Sequence, residues 1–314
     1  MSEVALSAAP PFIRAGRARR RFNLGPDFAL GYALLAPALL YIGVLVAYPF
    51  LLALWFSVSN ATVADNSTHF VGFTNYINLL GDDVFRTALR NSLVFTFVAQ
   101  LFKAILGIGL AFLLLRNLPG KKVIRGFLML PWTLPVSLSL LGWKWMFHPQ
   151  FSVINYVGGH IGLFQHPYPD WLGETGYAIA AILTVNIWRG FPFAAVVILA
   201  GLTSIPQEIF DACKIDGANG LKRWHYVITP MIAPILFIGL IFDVVFTLGD
   251  LTIVYLLTNG GPINTTDTLP TLAFREGVNG GDLAMGSATA LFLFPLLFVG
   301  VFFFLRLLRR RESQ

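Results

Sequence analysis

The sequence is poor in charge and nearly devoid of cysteine. Only 12% of its 314 residues are Asp, Glu, Lys or Arg, where a soluble domain carries about twice that fraction. Its one cysteine, Cys213, excludes an internal disulfide, and no Cys/His group has zinc-ligand spacing. No Gly-x-x-x-x-Gly-Lys-Ser/Thr string is present, so the chain lacks that phosphate cradle for ATP. His148, His160, His166 and His225 are scattered over loops with no nucleophile at a catalytic spacing, so an enzyme is not expected. What the chain has instead is hydrophobic residues, 56% of the total, and a mean hydropathy of +0.71.

The apolar residues fall into runs long enough to cross a bilayer, about 20 residues each. Six spans are predicted, at roughly 29–57, 91–115, 123–147, 177–202, 232–257 and 284–306. They are too long and too uniformly apolar for the alternating segments, about 10 residues each, of a membrane barrel. Helices are the remaining way to satisfy backbone polar groups in lipid, so the fold class is an all-α integral membrane protein. Pro37 and Pro49 in the first span, and Pro131 and Pro135 in the third, predict kinks or late helix starts.

Lys and Arg set the orientation. Arg14, Arg17, Arg19, Arg20 and Arg21 fall on one side, with Arg116, Lys121, Lys122 and Arg125. Lys214, Lys222 and Arg223 join them, as do Arg306, Arg309, Arg310 and Arg311, against only Arg86, Arg90 and Arg275 opposite. By the positive-inside rule both termini and residues 204–234 are cytoplasmic. The net charge of +6 is therefore an orientation signal rather than a nucleic-acid-binding face. The basic head and first apolar run look like a signal peptide. The run is too long and lacks a small-residue cleavage site, so a retained helix is expected. The chain thus divides into a basic segment 1–28 and a membrane domain 29–314 that ends in a basic tail, 307–314. Segments 58–90, 148–176 and 258–283 lie outside as short caps and loops. Sequon matches at Asn66 and Asn264 carry little weight.

Residues 204–234 form a polar island between the fourth and fifth spans. Ser204, Pro206 and Gln207 make a helix-start signature, and that helix should run to about Ile215. Asp216-Gly217 should end it, because glycine accepts the left-handed conformation found past helix ends. Asn219 can cap a second short helix carrying Leu221, Trp224, Val227 and Ile228, stopped by Pro230. Physics alone leaves two forms open. One is a knob projecting from the membrane, and the other is an amphipathic hairpin lying on the headgroups.

Asp211-Ala212-Cys213, Ile215-Asp216-Gly217-Ala218 and Pro230 after Val227-Ile228-Thr229 resemble the EAA loop of ABC importer permeases of the carbohydrate type. The resemblance is nearest to the permeases for maltose and glycerol phosphate. Phe70-Val71-Gly72-Phe73-Thr74-Asn75-Tyr76, Ala200-Gly201-Leu202 with Ser204-Ile205-Pro206, and Leu257-Thr258-Asn259-Gly260-Gly261-Pro262 are similar to further family strings, in the family's order. The departures are Asp211 for the usual Glu, Cys213 for the second Ala, and Thr229 for Leu. The resemblance implies a type I importer permease with the island as its coupling helix. Asp211 would pair with a basic residue of a cytoplasmic ABC ATPase, and Gly217 would allow the turn. It also implies ATP–Mg held by an ATPase pair, a second permease (by family habit a distinct paralogue), an extracytoplasmic solute-binding protein, and a bacterial inner membrane.

Polar residues at membrane depth mark a cavity or a partner. Lys103, Arg189 and Asp243 fall near the midplane, Lys144 and Asp250 nearer the outer face, and Asn186 and Thr247 between. They fit a solute pathway or a set of internal ties in which Asp243 pairs with Arg189 or Lys103. Trp143, Trp145 and Trp188 fit either sugar stacking or interface anchoring. Three cations against two carboxylates point weakly to an anionic solute such as a sugar phosphate or sulfonate. An ion-coupled secondary transporter is the alternative, although no pair of matching halves is visible.

Overall fold

The computed structural model describes residues 26–65, 67–116 and 119–312; of the side chains at 26–29, 121, 303–305 and 307–312 nothing is said. The basic cluster Arg14–Arg21, Asn66 and the side chains of Arg309–Arg311 therefore lie outside the described residues. The described chain is helical, with one isolated bridge, Ser59 to Phe70, and no strand among the described residues. It divides into two units after Leu51.

The first unit holds α1 (Pro26–Ile42), a π-helical turn Gly43–Ala47, and the start of α2 (Tyr48–Ser57). Pro49 was expected to kink this span. The π turn precedes it: Tyr48 N–H bonds back five residues to Gly43 O, a wide turn that shifts the bonding register just before the proline, and the helix runs on.

The second unit takes in the end of α2, a short α3 (Thr74–Gly81) and the long α4 (Asp83–Leu115). Asp82 caps α4 by accepting from Val84 N–H. The third expected span is two helices, α5 (Lys121–Thr133) and α6 (Val136–Met146), meeting at 90°. The break falls at Pro135, where a kink or late helix start was expected. Pro135 removes a donor and forces Leu134 into an extended conformation (φ −67°, ψ 142°). A short α7 (Val153–His160) precedes the long α8 (Thr175–Thr203). After α9 (Gln207–Ile215) and α10 (Gly220–Arg223), a π turn Trp224–Ile228 leads directly into α11 (Thr229–Leu248). The fifth span breaks at residues 249–251 and resumes as α12 (Thr252–Leu257). A short α13 (Leu269–Phe274), a π turn Arg275–Asn279, α14 (Leu283–Leu291) and α15 (Leu293–Glu312) complete the chain.

Small residues bring α4, α8 and α11 together. A Cβ on Gly107 of α4 would lie 2.9 Å from Ala194 Cβ on α8, and one on Gly201 of α8 would lie 2.8 Å from Ile235 on α11. In lipid, where tails are as apolar as leucine, such close backbone approach replaces the hydrophobic drive. One core cluster joins Phe95, Leu140, Phe147, Ile182, Val185 and Ile253. Another, toward the opposite ends of α4 and α8, joins Ala111, Ile198, Leu202, Ile205, Ile228 and Ile232.

The contacts at Gly107 give a test with an internal control. Gly107→Leu should lower stability by about 1–3 kcal/mol through overpacking, read as thermal unfolding in detergent. Gly109→Leu, with nothing within 4 Å of its Cβ position, should not.

Candidate functional site: a membrane cavity and a coupling knob

A cavity of about 400 Å³ lies among α4, α8, α11, the end of α5 and the break at 249–252. Lys103, Asn186, Arg189, Asp243, Thr247 and Asp250 all line it, so six of the seven sequence-predicted pathway residues come together. The seventh, Lys144, does not line it. Its Nζ lies 3.5 Å from Leu256 O in an exposed position.

Two ion pairs organise the cavity. Lys103 is 2% exposed, and its ammonium donates to Thr247 Oγ1 at 2.9 Å and to Asp243 Oδ1 at 3.3 Å. Gly190 makes this possible: a Cβ there would run into the Lys103 side chain. Arg189 pairs with Asp250 at 3.7 Å. Asp250 also accepts from Thr252 and Ile253 N–H, at 2.8 and 3.2 Å, and so stabilises the start of α12 after the break. Irregular backbone is tolerated at membrane depth where it lines a cavity, as residues 249–252 do. With Lys144 elsewhere, the cavity holds two cations and two carboxylates. The charge excess that pointed to an anionic solute is absent.

The rest of the lining was missed in the sequence. Trp132 stacks on Phe193 (centroids 5.7 Å apart), Phe193 meets Phe242 at 5.6 Å, and Phe242 meets Phe246 at 4.6 Å, forming an aromatic wall. The available signal was spacing: Phe193 follows Arg189, and Phe246 follows Phe242, by one helical turn. Trp143 and Trp188 instead pack edge to face away from the cavity, and Trp145 is exposed. Asn186 and Arg189 both line the cavity, and the buried Asn186 Oδ1 and Arg189 Nε have no hydrogen-bond partner among the described residues.

The island behaves partly as expected. Gly217 has φ +66°, and it ends α9 in a Schellman arrangement. Ala218 N–H bonds Cys213 O and Gly217 N–H bonds Lys214 O. Asn219 caps α10 by accepting from Lys222 N–H. Two expectations fail. Ser204 does not cap α9: its hydroxyl donates back to Gly201 O at 2.8 Å, completing the end of α8, and Pro206 occupies the cap position. Pro230 does not stop the second helix, because Thr229 N–H reaches Trp224 O through the π turn and the helix runs on. This is the device used before Pro49.

Within the island, Cys213 is buried, while Asp211, Ala212, Ile215 and Asp216 are exposed or half-exposed. Ile205, Ile209, Phe210 and Trp224 pack against the core, so the knob is anchored rather than loose. Asp211 pairs with Lys214 at 2.7 Å. That hydrogen bond, with one from Gln207, holds its carboxyl below the usual carboxylate range.

At the other end, the Leu257–Pro262 string builds a tight loop. Gly260 has φ +82° and no room for a Cβ against the buried Asp267 carboxylate. Asp267 pairs with Arg275 at 2.6 Å. Burial raises its pKa, and Arg275 opposes the rise.

Residues 103–313, more than half of the chain, match the family model described as binding-protein-dependent transport system inner membrane component. The chain belongs to this family. The permease is 32% identical to the sulfoquinovosyl glycerol transport system permease protein SmoG of Agrobacterium fabrum, over 93% of this chain and 94% of that protein. It is 30% identical to the trehalose/maltose transport system permease protein MalF of Thermococcus litoralis, over 90% and 95%. Its fold matches a chain of a bacterial ABC transporter that imports the acidic polysaccharide alginate, with a TM-score of 0.78 at 22% identity, over 91% and 97%. The type I importer permease fold and the role of a non-catalytic inner-membrane permease are thereby established. The secondary-transporter alternative falls away.

The buried pair yields a mutational cycle. Lys103→Met alone should destabilise the permease by about 3–5 kcal/mol, because it leaves Asp243 uncompensated. Adding Asp243→Leu should recover most of that loss in the same unfolding assay, whereas additive losses would show that the pair is not coupled.

Proposed function

We propose that the permease conducts a sugar or sugar derivative through the Lys103–Asp250 cavity, as one half of a pathway completed by a second permease. The observation that carries this reading is the pairing, in one cavity, of an aromatic wall with the polar side chains of Asn186, Arg189 and Thr247. Flat rings beside a few convergent polar groups suit the apolar faces and hydroxyls of a sugar. The relatives' cargoes, trehalose or maltose and sulfoquinovosyl glycerol, are in keeping with it. Because the cavity's own charges balance, neutral groups on the solute carry recognition there.

The ATP-driven step is assigned to the knob. Residues 204–234 and both termini face the cytoplasm, a reading supported by Arg116, Lys122, Arg125, Lys214, Lys222 and Arg223, which fall in the segments between the second and third spans and between the fourth and fifth. Asp211, Ala212, Cys213, Ile215, Asp216, Gly217 and Ala218 form the surface or frame that enters a groove of an ATPase. That ATPase holds ATP–Mg, and a solute-binding protein delivers cargo from outside. Continuity through Pro230 gives the knob a direct lever. From Thr229 to Asp243 the helix is unbroken, about 21 Å at 1.5 Å per residue. A push on the Gly217 corner passes through α10 and the π turn and along this helix to the Lys103–Asp243 pair.

In membrane vesicles carrying the full transporter, Asp211→Lys should abolish ATP-dependent sugar uptake by setting a cation against the basic groove. Wild-type uptake in that variant would remove Asp211 from the docking contact. Gly217→Val should reduce co-purification of the ATPase, since a β-branched residue resists positive φ; an undiminished ATPase yield would show that the corner tolerates it.

A further inference from the structure

From Trp145 to Pro169 the sequence has no Asp, Glu, Lys or Arg, and α7 (Val153–His160) lies in the middle of this stretch. Its polarity is inverted. The polar residues that open it, Ser152 and Asn155, are only 6% and 3% exposed. Ser152 Oγ donates to Met146 O at 2.7 Å, which ties α7 to the last residue of α6. Asn155 donates to Pro169 O at 2.9 Å and accepts from the Trp171 indole at 2.7 Å. The outward stripe is Val153, Tyr156, Val157, His160 and Ile161, all exposed and spaced as one helix face. Tyr156 and Ile161 are each 65% exposed. A helix bathed in water turns its polar side out and its apolar side in. α7 does the reverse.

The chain also fixes its depth. Ile154 packs against the core cluster that α6 and α8 build, and the Ser152 tie holds α7 at the level where α6 ends. Charge returns only at Asp170 and Glu174, just before α8 begins. Exposed apolar side chains continue back along α6 through Trp145 and Leu141. A soluble partner that docks and leaves meets a polar rim, and this face has none. We propose that α7 is an interfacial helix, its Val153–Ile161 face lying in the headgroup–acyl boundary of the leaflet away from the coupling knob. Tyr156, packed on His160 with ring centroids 4.2 Å apart, brings the apolar body and polar tip that such a boundary favours. Residues 148–176, expected as a cap outside the membrane, then divide in two. The part through Leu163 rests in lipid, and the charged part from Asp170 stands in water.

The test places a nitroxide on the complete transporter in liposomes, with Cys213 replaced by Ala and Val157 by Cys. Power-saturation resonance then compares collision with oxygen, which concentrates in lipid, against collision with a water-soluble nickel chelate. At 157 oxygen should outweigh the chelate severalfold, and at Ile161→Cys likewise. At Gln165→Cys, past the proposed boundary, the preference should reverse. Addition of the solute-binding protein should leave the label at 157 unchanged. Chelate access at 157 equal to that at 165 would overturn the proposal, because the face would then be in water. Shielding from both agents, or shielding that appears only with the binding protein, would overturn it too, since a protein would then cover the face.

Discussion

One ammonium group dictates the centre of this molecule. A lysine at membrane depth is tolerated only with compensating partners, since the isolated charge costs several kcal/mol to bury. Lys103 reaches from α4 to Asp243 and Thr247 on α11, and its stem occupies the space that a side chain at Gly190 of α8 would need. Three helices are therefore fixed by a single cation. The cavity is what remains beside that tie, bounded by the second pair, Arg189 with Asp250, and by the aromatic wall.

The two ion pairs also define what the cavity can recognise. Each cation is matched by a carboxylate from α11 or the break that follows it, so little unbalanced charge is left to attract an ionic solute. In the proposed pathway, recognition falls to the neutral polar side chains Asn186 and Thr247 and to ring faces. Coupling follows from continuity. The π turn at 224–228 lets the helix pass through Pro230, so the second half of the island and Asp243, which anchors Lys103, share one continuous helix, the route of the proposed coupling.

The frame of this structure was legible in the sequence because it rests on composition and local chemistry. Long apolar runs place the helices, Gly217 ends α9, and Asn219 caps α10. Polar residues at membrane depth found six of the cavity's lining side chains, since polarity in lipid is costly wherever it occurs. Pairing was not legible. Asp243 could reach Arg189 or Lys103, and helix rotation alone decides for Lys103. Lys144 looks equivalent by depth but points elsewhere. The aromatic wall was hidden because phenylalanine is ordinary in a membrane helix, and only tertiary packing sets Phe193, Phe242 and Phe246 apart. Prolines were legible only in part: Pro135 breaks its span as expected, whereas π turns absorb Pro49 and Pro230. Ser204 was claimed by the helix before it rather than the helix after.

The central claim is that solute passes beside Asn186. The single native cysteine permits a direct measurement: replace Cys213 with Ala, introduce Asn186→Cys, and follow its modification by a small maleimide in the assembled, working transporter. Modification should proceed, and saturating sugar with its binding protein and ATP should slow it severalfold. A thiol at 186 that reacts at the same rate with and without transported sugar would contradict a solute path through this cavity.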